Sequence, residues 1–298
     1  MNLNTSIEHK YIYEHLTSES NPIGIVHISH GMAEHIGRYN WLIKKLNKDG
    51  FHVIAIDQRG HGRRIVNNIK GYFADSNGWN YVINDQKKLV DDTKKKYPHL
   101  NQYMIAHSMG SWIALGAIQE GMKVDGLILS GSSRLPDTLI KVQKILIKFI
   151  LLFSSKKRKG TLLDKLILGK YNKFFSPNRT PKDWISSDTS NVDEYISDPL
   201  CGYEVTNGLW QDLAHGISTV FDEEGYKDAN KSMPIFIISG ANDPVGENGK
   251  GVKRLNSYLK NIFKNVSLAL IPNARHEVFS EINKESNYKL LKIFMDSC

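Results

Sequence analysis

The stretch Tyr103 to Gly110, YMIAHSMG, runs from a short apolar segment directly into a serine between small residues. The apolar residues have the length of a buried β-strand, and a helical pattern follows from Gly110 to Glu120. A serine on so sharp a strand-to-helix turn projects above the carboxyl end of a sheet, because small neighbours let the backbone close tightly. The usual pattern is G-x-S-x-G, and here Ala106 takes the first position. Ser108 is therefore a candidate nucleophile, and an N-cap role is the alternative.

On both sides of this turn, short apolar runs rich in β-branched residues alternate with longer helical patterns, which is typical of a parallel sheet covered by helices. The predicted strands are Ile25–Ser29, His52–Ile56, Tyr103–Ala106, Leu127–Ser130, Ile235–Ser239 and Val266–Ile271. The alternation stops between residues 132 and 230, which we interpret as an inserted, mainly helical cap. We expect an α/β fold with a mostly parallel, doubly wound sheet, whose core comprises residues 1–131 and 231–298.

Two further polar residues follow predicted strands. Asp243 comes after IFIISGAN and His276 after VSLALIPNAR, so both belong to the loops outside the carboxyl ends of the strands, where such sheets bind ligands. Serine, acid and histidine in this order form the triad of one class of serine hydrolase, with His276 as general base and Asp243 as the orienting acid. Asp57 also ends a strand and is the rival acid. The rival bases, which we expect to be structural, are His30, His35, His61 and His107.

Acyl transfer also needs hydrogen-bond donors for the oxyanion that develops on the substrate. One is commonly the backbone N–H after the nucleophile, which here belongs to Met109. The other should come from the loop after an earlier strand, and His30-Gly31-Met32 follows the strand IVHIS. We therefore predict that the backbone N–H groups of Met32 and Met109 form an oxyanion hole.

Five segments, HGMAEHIGRY (30–39), DQRGHG (57–62), AHSMG (106–110), GANDPVG (240–246) and RHE (275–277), resemble the monoglyceride lipase and lysophospholipase branch of α/β-hydrolases, which is serine aminopeptidase-like. The resemblance covers nearly the whole chain except the insertion. It implies the α/β-hydrolase fold, a triad of Ser108, Asp243 and His276, an oxyanion hole from Met32 and Met109, and a cap over the active site. It also implies an ester hydrolase for single-chain lipids, either monoacylglycerol or lysophospholipid, that needs no cofactor.

Composition narrows the class of protein further. The net charge of +8 is spread over 39 basic residues, which is an argument about solubility rather than about a nucleic-acid partner, and we predict none. The chain has two cysteines, and its first residues contain no apolar run preceded by basic residues, so we expect a cytoplasmic protein. No spacing typical of a metal site or a phosphate-binding loop occurs, so we predict no metal and no cofactor.

The segment Leu139–Phe153, LIKVQKILIKFILLF, predicts an apolar helix with Lys141, Lys144 and Lys148 in one stripe, and the basic cluster Lys156–Lys159 follows it. The helix is too short and too charged to span a bilayer. Two interpretations stay open. The helix packs over the core with its lysines in water, or it makes a peripheral contact with anionic membranes.

Two other functions also remain open. One is an aminopeptidase on the same fold, although the sequence shows no specific carboxylate pair in the insertion to hold a substrate's amino terminus. The other is a ligand-binding protein without catalysis, which has little need for a serine, an acid and a histidine in this order.

Overall fold

The computed structural model describes residues 7–298 of the chain. Within them seven strands form one sheet in the order β1-β3-β2-β4-β5-β6-β7. The strands are β1 Ile12–His15, β2 Gly24–Ser29, β3 Phe51–Ile56, β4 Gln102–His107, β5 Gly126–Ser130, β6 Ile235–Gly240 and β7 Val266–Ile271. β1 pairs antiparallel with β3, and all other pairs are parallel. The predicted α/β-hydrolase fold with its mostly parallel, doubly wound sheet is confirmed.

Nine α-helices lie within the described residues. They are α1 Asn40–Lys48, α2 Gly78–Lys96, α3 Met109–Gln119, α4 Asp137–Phe153, α5 Thr161–Ile167, α6 Thr189–Ser197, α7 Asn207–Val220, α8 Lys250–Ile262 and α9 Lys284–Asp296. Strand side chains alternate between two apolar clusters, as a pleated strand buried on both faces requires. In β4, Tyr103 and Ile105 join the cluster that includes α1 and α9, whereas Met104 and Ala106 join the cluster that includes α2, α3 and α8.

The insertion leaves and re-enters the sheet between neighbouring strands. β5 and β6 pair in register from Leu127 with Ile235, and residues 131–234 between them carry α4 to α7. Helix α4 packs on α7, and α7 packs on α2 and α3. The inserted segment therefore lies over the same side of the sheet as the helix that follows Ser108.

Helix α4 buries only part of its apolar surface. Ile140 and Ile147 are buried, but a row of large apolar side chains is between 61% and 77% exposed: Val142, Ile145, Phe149, Leu152 and Phe153. The lysine stripe is not entirely in water, because Lys144 Nζ donates to Ser218 Oγ on α7 at 3.1 Å. None of the helices within residues 7–298 has the length and apolar character needed to cross a bilayer.

Candidate active site

Ser108 lies on the turn that joins β4 to α3. Its backbone has φ 50° and ψ −121°, a conformation that residues other than glycine rarely adopt. The turn is held because the Ser108 N–H donates to Ser130 O on β5 at 2.9 Å. Gly110 is required here, since a Cβ at that position would lie 2.1 Å from Ser29 O. Ala106, which replaces the first glycine of the G-x-S-x-G pattern, is fully buried in the sheet and leaves the turn intact.

The structure brings His276 and Asp243 together from the loops after β7 and β6. His276 Nδ1 lies 2.9 Å from Asp243 Oδ2, and both side chains are buried. Asp243 Oδ1 accepts from the Val245 N–H at 2.9 Å, which fixes the carboxylate. With Nδ1–H donated to Asp243, Nε2 is the nitrogen left to accept a proton. Burial alone would lower the pKa of His276, but the Asp243 carboxylate outweighs it and the pKa is raised above the ordinary value of 6.5.

The loop after β2 lies directly against Ser108. A Cβ on Gly31 would be 3.2 Å from Ser108 Cβ, so the backbone of this loop and the serine are in close contact. Within the described residues, the N–H groups of Met32 and Met109 have no acceptor. Two free backbone donors beside one hydroxyl are what an oxyanion hole requires.

A buried carboxylate that the sequence analysis did not identify supports this loop. Glu34 Oε1 accepts from the Gly31 N–H, and it also accepts from the Tyr39 hydroxyl at 2.8 Å. Burial raises the pKa of Glu34 to about 7, and the Glu277 carboxylate adds to the shift. The acidic residue within HGMAEHIGRY was the available signal, because this segment directly follows a buried strand and a carboxylate buried there needs a partner inside the protein.

A second polar group lies next to His276. Arg38 Nη2 lies 3.1 Å from Glu277 Oε2, and the same oxygen accepts from Asn191 Nδ2 at 2.7 Å. Arg38 comes from the loop after β2, Asn191 from α6 and Glu277 from the loop after β7. This cluster therefore ties the insertion to both loops that flank the serine. Asn191 could not be identified from the sequence as a member of this cluster.

Ser108 and His276 line one cavity with a volume of about 110 Å³, and Met32 and Met109 line it too. Most of its remaining wall is apolar or aromatic and comes from the insertion. These residues are Leu135, Leu139, Ile167, Leu168, Tyr171, Trp184, Ile185, Tyr195, Tyr203, Trp210, Leu213 and Ile217. Such a wall suits a substrate with a hydrocarbon chain.

The rival acid, Asp57, has other partners. Its oxygens accept from the Tyr13 hydroxyl at 2.7 Å, the Ile36 N–H at 2.9 Å and the Arg63 N–H at 2.7 Å. Burial works against ionisation, but His30 and these donors hold the pKa of Asp57 below its ordinary value. Asp57 is thus a fixed carboxylate within a loop, and the carboxylate bonded to His276 is Asp243.

The other histidines bond to loops and neighbouring residues. His30 Nε2 accepts from the Gln58 N–H at 2.8 Å, and His61 Nδ1 lies 2.9 Å from Arg59 O. His107 Nδ1 lies 3.4 Å from Ser130 Oγ. Their environment agrees with the structural role that we expected for them.

Within the described residues, one group of potential metal ligands is found, formed by His35, Asp198 and Cys201, whose ligand atoms lie within 4.8 Å of one another. His35 Nε2 lies 2.8 Å from Asp198 Oδ2, and Nδ1 accepts from the Gly37 N–H at 3.2 Å. Both ring nitrogens therefore already have hydrogen-bond partners. Burial raises the pKa of the Cys201 thiol, which opposes the thiolate that a metal needs. Both cysteines are free, and Cys201 is the buried one.

Comparison with known proteins gives a family. Residues 20–283 match the family model Hydrolase_4, described as serine aminopeptidase, S33. A monoacylglycerol lipase of Mycolicibacterium smegmatis is 25% identical over 281 residues, which cover 91% of this chain and 88% of that protein. The monoglyceride lipase of Rattus norvegicus is 26% identical over 280 residues, covering 91% and 81%. A phospholipase of Bacillus subtilis is 22% identical over 287 residues, covering 92% and 96%.

Among solved structures, a thermostable carboxyl esterase from Bacillus coagulans, crystallised with glycerol, superposes with a TM-score of 0.84. It is 27% identical in sequence, and the superposition covers 95% of this chain and 92% of that one. Because the family model spans most of the sequence and the fold agrees, this chain belongs to the serine aminopeptidase S33 family of hydrolases.

Proposed function

We propose that the protein is a serine ester hydrolase that cleaves acyl esters of single-chain lipids, either monoacylglycerol or lysophospholipid, through an acyl-enzyme. The observation that carries the proposal is the buried His276–Asp243 hydrogen bond of 2.9 Å beside a cavity that Ser108 also lines. The names of the relatives and the apolar cavity wall support the lipid substrate.

In this mechanism Ser108 Oγ attacks the ester carbonyl carbon while His276 Nε2 takes the hydroxyl proton. Asp243 stabilises the imidazolium that forms, and the N–H groups of Met32 and Met109 donate to the oxyanion. The C–O bond then breaks, and the imidazolium gives its proton to the leaving alcohol. Water attacks the acyl-enzyme, again with His276 as base, and frees the fatty acid. No cofactor takes part.

We further propose that residues 132–230 act as a cap over a core of residues 1–131 and 231–298. Residues from α4, α5 and α7 line the same cavity as Ser108, which supports this division. A substrate's acyl chain would lie between the core and the cap.

The cap also supports a peripheral membrane contact. The exposed row of Val142, Ile145, Phe149, Leu152 and Phe153 is a larger apolar surface than one helix usually leaves in water. In the basic cluster, Lys156 Nζ donates to Asp75 O at 3.0 Å and Lys157 lies 2.9 Å from the Asp75 carboxylate. We therefore propose that the apolar row enters the membrane surface, and that the basic cluster contributes only electrostatic attraction to anionic lipids. A cytoplasmic location stays a prediction.

The test is a substrate panel of monoacylglycerol and lysophospholipids that share one acyl chain, together with amino-acyl amides. The proposal expects kcat/KM to be highest on the lipid esters, and Ser108→Ala serves as the control for contaminating activity. Faster release of amino acids from amides would favour the aminopeptidase alternative. An unreactive wild type would favour a ligand-binding protein.

A further inference from the structure

One charged side chain in the cavity has no part in the proposed chemistry. Lys182 is the single lysine or arginine among the described residues that line the cavity of Ser108 and His276. Its ammonium makes no hydrogen bond and no ion pair with any described residue. Lys182 is half-buried, and an ammonium that is partly withdrawn from water without a hydrogen-bond partner is costly, so its position beside a substrate cavity points to a ligand.

Lys182 lies close to the loop that carries Met32. A Cβ on Gly202 would be 3.5 Å from Lys182 Cε, and the Gly202 N–H donates to Ala33 O at 2.9 Å. Ala33 directly follows Met32 in the chain. The end of the lysine side chain is therefore near the oxyanion loop, where the ester group of a bound substrate has to lie.

Two carboxylates act on the charge of Lys182 without lining the cavity. Asp164 accepts from Trp210 Nε1 at 2.7 Å and Glu204 accepts from the Thr161 hydroxyl at 2.8 Å, and neither acid is among the described residues that line the cavity. Burial lowers the pKa of Lys182, and the negative charges of Asp164 and Glu204 oppose that shift. The cavity thus presents the Lys182 ammonium. Two carboxylates, Glu34 and Glu277, also line the cavity, but Glu34 already accepts from Gly31 and Tyr39, and Glu277 from Arg38 and Asn191.

We propose that Lys182 binds the phosphate of a single-chain glycerophospholipid, so that the enzyme prefers lysophospholipid to neutral monoacylglycerol. The proposal rests on the proposed ester hydrolase and names its substrate class. A phosphate supplies charged oxygens for charge-assisted hydrogen bonds to the ammonium, whereas a glycerol head group offers it only neutral hydroxyl oxygens.

The test compares kcat/KM for lysophosphatidylglycerol and monoacylglycerol with the same short acyl chain, both below their aggregation concentrations. Dissolved monomers are used so that attraction to a charged surface does not contribute. The variants are Lys182→Met, Lys182→Arg and, as a matched control, Lys165→Met, which removes an exposed lysine of α5.

Lys182→Met should lower kcat/KM on lysophosphatidylglycerol by about tenfold or more, the size of a lost charge-assisted hydrogen bond. Activity on monoacylglycerol should stay within about twofold, Lys182→Arg should keep most of the preference, and Lys165→Met should resemble the wild type. Equal losses on both substrates, or no loss on either, would overturn the proposal and leave the ester hydrolase standing. The ester hydrolase itself fails separately, if Ser108→Ala retains activity.

Discussion

Trp184 packs against the imidazole of His276, with ring centroids 5.1 Å apart and ring planes inclined by 42°. His107 also packs against this imidazole, with a centroid distance of 4.6 Å. The indole comes from the insertion, and the Glu277 N–H donates to Ile185 O, next to Trp184, at 2.8 Å. The orientation of the proposed base therefore depends on the insertion as well as on Asp243.

Trp184→Ala should lower kcat on a soluble ester by about tenfold to a hundredfold, because a misplaced base raises the barrier even when its chemistry is intact. Trp184→Phe keeps an aromatic wall and should stay close to the wild type. Since a large buried side chain is lost, thermal unfolding must show that the alanine variant is folded at the assay temperature. Wild-type kcat in a folded Trp184→Ala protein would contradict this role.

The pH dependence of kcat/KM should follow the protonation of His276. Since its pKa is raised above 6.5, the basic form is lost as pH falls through a value above 6.5. Asp243→Asn removes the carboxylate that most strongly opposes the effect of burial on the pKa of His276, so the acid limb should move to lower pH while kcat falls by about 10⁴-fold. An unchanged limb in this variant would mean that Asp243 does not set the pKa of His276.

Asp57→Asn is the matched control for Asp243→Asn. Asp57 accepts hydrogen bonds from Tyr13, Ile36 and Arg63, so the substitution should reduce the free energy of unfolding by about 1–3 kcal/mol. Its kcat should stay within about tenfold of the wild type. Denaturant unfolding and ester turnover are measured on both variants. A larger loss of kcat from Asp57→Asn than from Asp243→Asn would show that the wrong acid had been assigned.

Glu34 should make stability depend on pH. Its pKa is about 7 in the folded protein and near 4.5 in the unfolded chain, so between these values the folded state holds one more proton. The free energy of unfolding should therefore fall as pH rises from 4.5 to 7, by up to about 1.4 kcal/mol per pKa unit.

Glu34→Gln retains the oxygen that accepts from Gly31 and Tyr39 but cannot ionise. The slope of stability against pH in this range should therefore be smaller than in the wild type, and the variant should be relatively more stable above pH 7. Denaturant unfolding at several pH values measures both slopes. Identical slopes would show that Glu34 does not titrate in this range.

The proposed membrane contact separates two groups of variants. Phe149→Ser with Phe153→Ser removes apolar surface from the exposed row, so binding to anionic vesicles should weaken at both low and high salt. Replacing Lys156–Lys159 with glutamine should weaken binding mainly at low salt, since each basic residue near the surface is worth about 1 kcal/mol and salt screens it. Vesicle sedimentation at low and high salt measures the binding of both variants. Turnover of a short soluble ester should not change, and wild-type vesicle binding by both variants would exclude the contact.

The sheet was predictable because buried parallel strands are continuous apolar runs. The run at Ile235–Ser239 became β6, Ile235–Gly240, almost to the residue. β1, Ile12–His15, was missed because a short antiparallel edge strand, none of whose residues is buried, has no such run. In the insertion, helix α4 was predicted from the periodicity of its apolar residues. Its exposed apolar row was not predicted, since periodicity does not tell which face of a helix meets water.

In the candidate site, Ser108, Asp243 and His276 could be predicted to lie close together because each follows a strand, and the topology of a parallel sheet brings these strand ends to one edge. The contribution of Trp184 and Lys182 to the site could not be predicted, because they reach the cavity only through tertiary packing of a segment without a strand pattern. Glu34 stands between these cases. Its motif was recognised, but only the structure gives its bond to Gly31.

The central claim, that Ser108 forms the acyl-enzyme, is tested most directly by covalent labelling. The wild-type protein and Ser108→Ala are treated with a fluorophosphonate, and the modified peptide is identified by mass spectrometry. The account predicts one adduct, on Ser108, whose formation parallels the loss of ester hydrolysis, and no adduct in the folded alanine variant. An adduct on another residue, or ester hydrolysis by Ser108→Ala within about tenfold of the wild type, would contradict it.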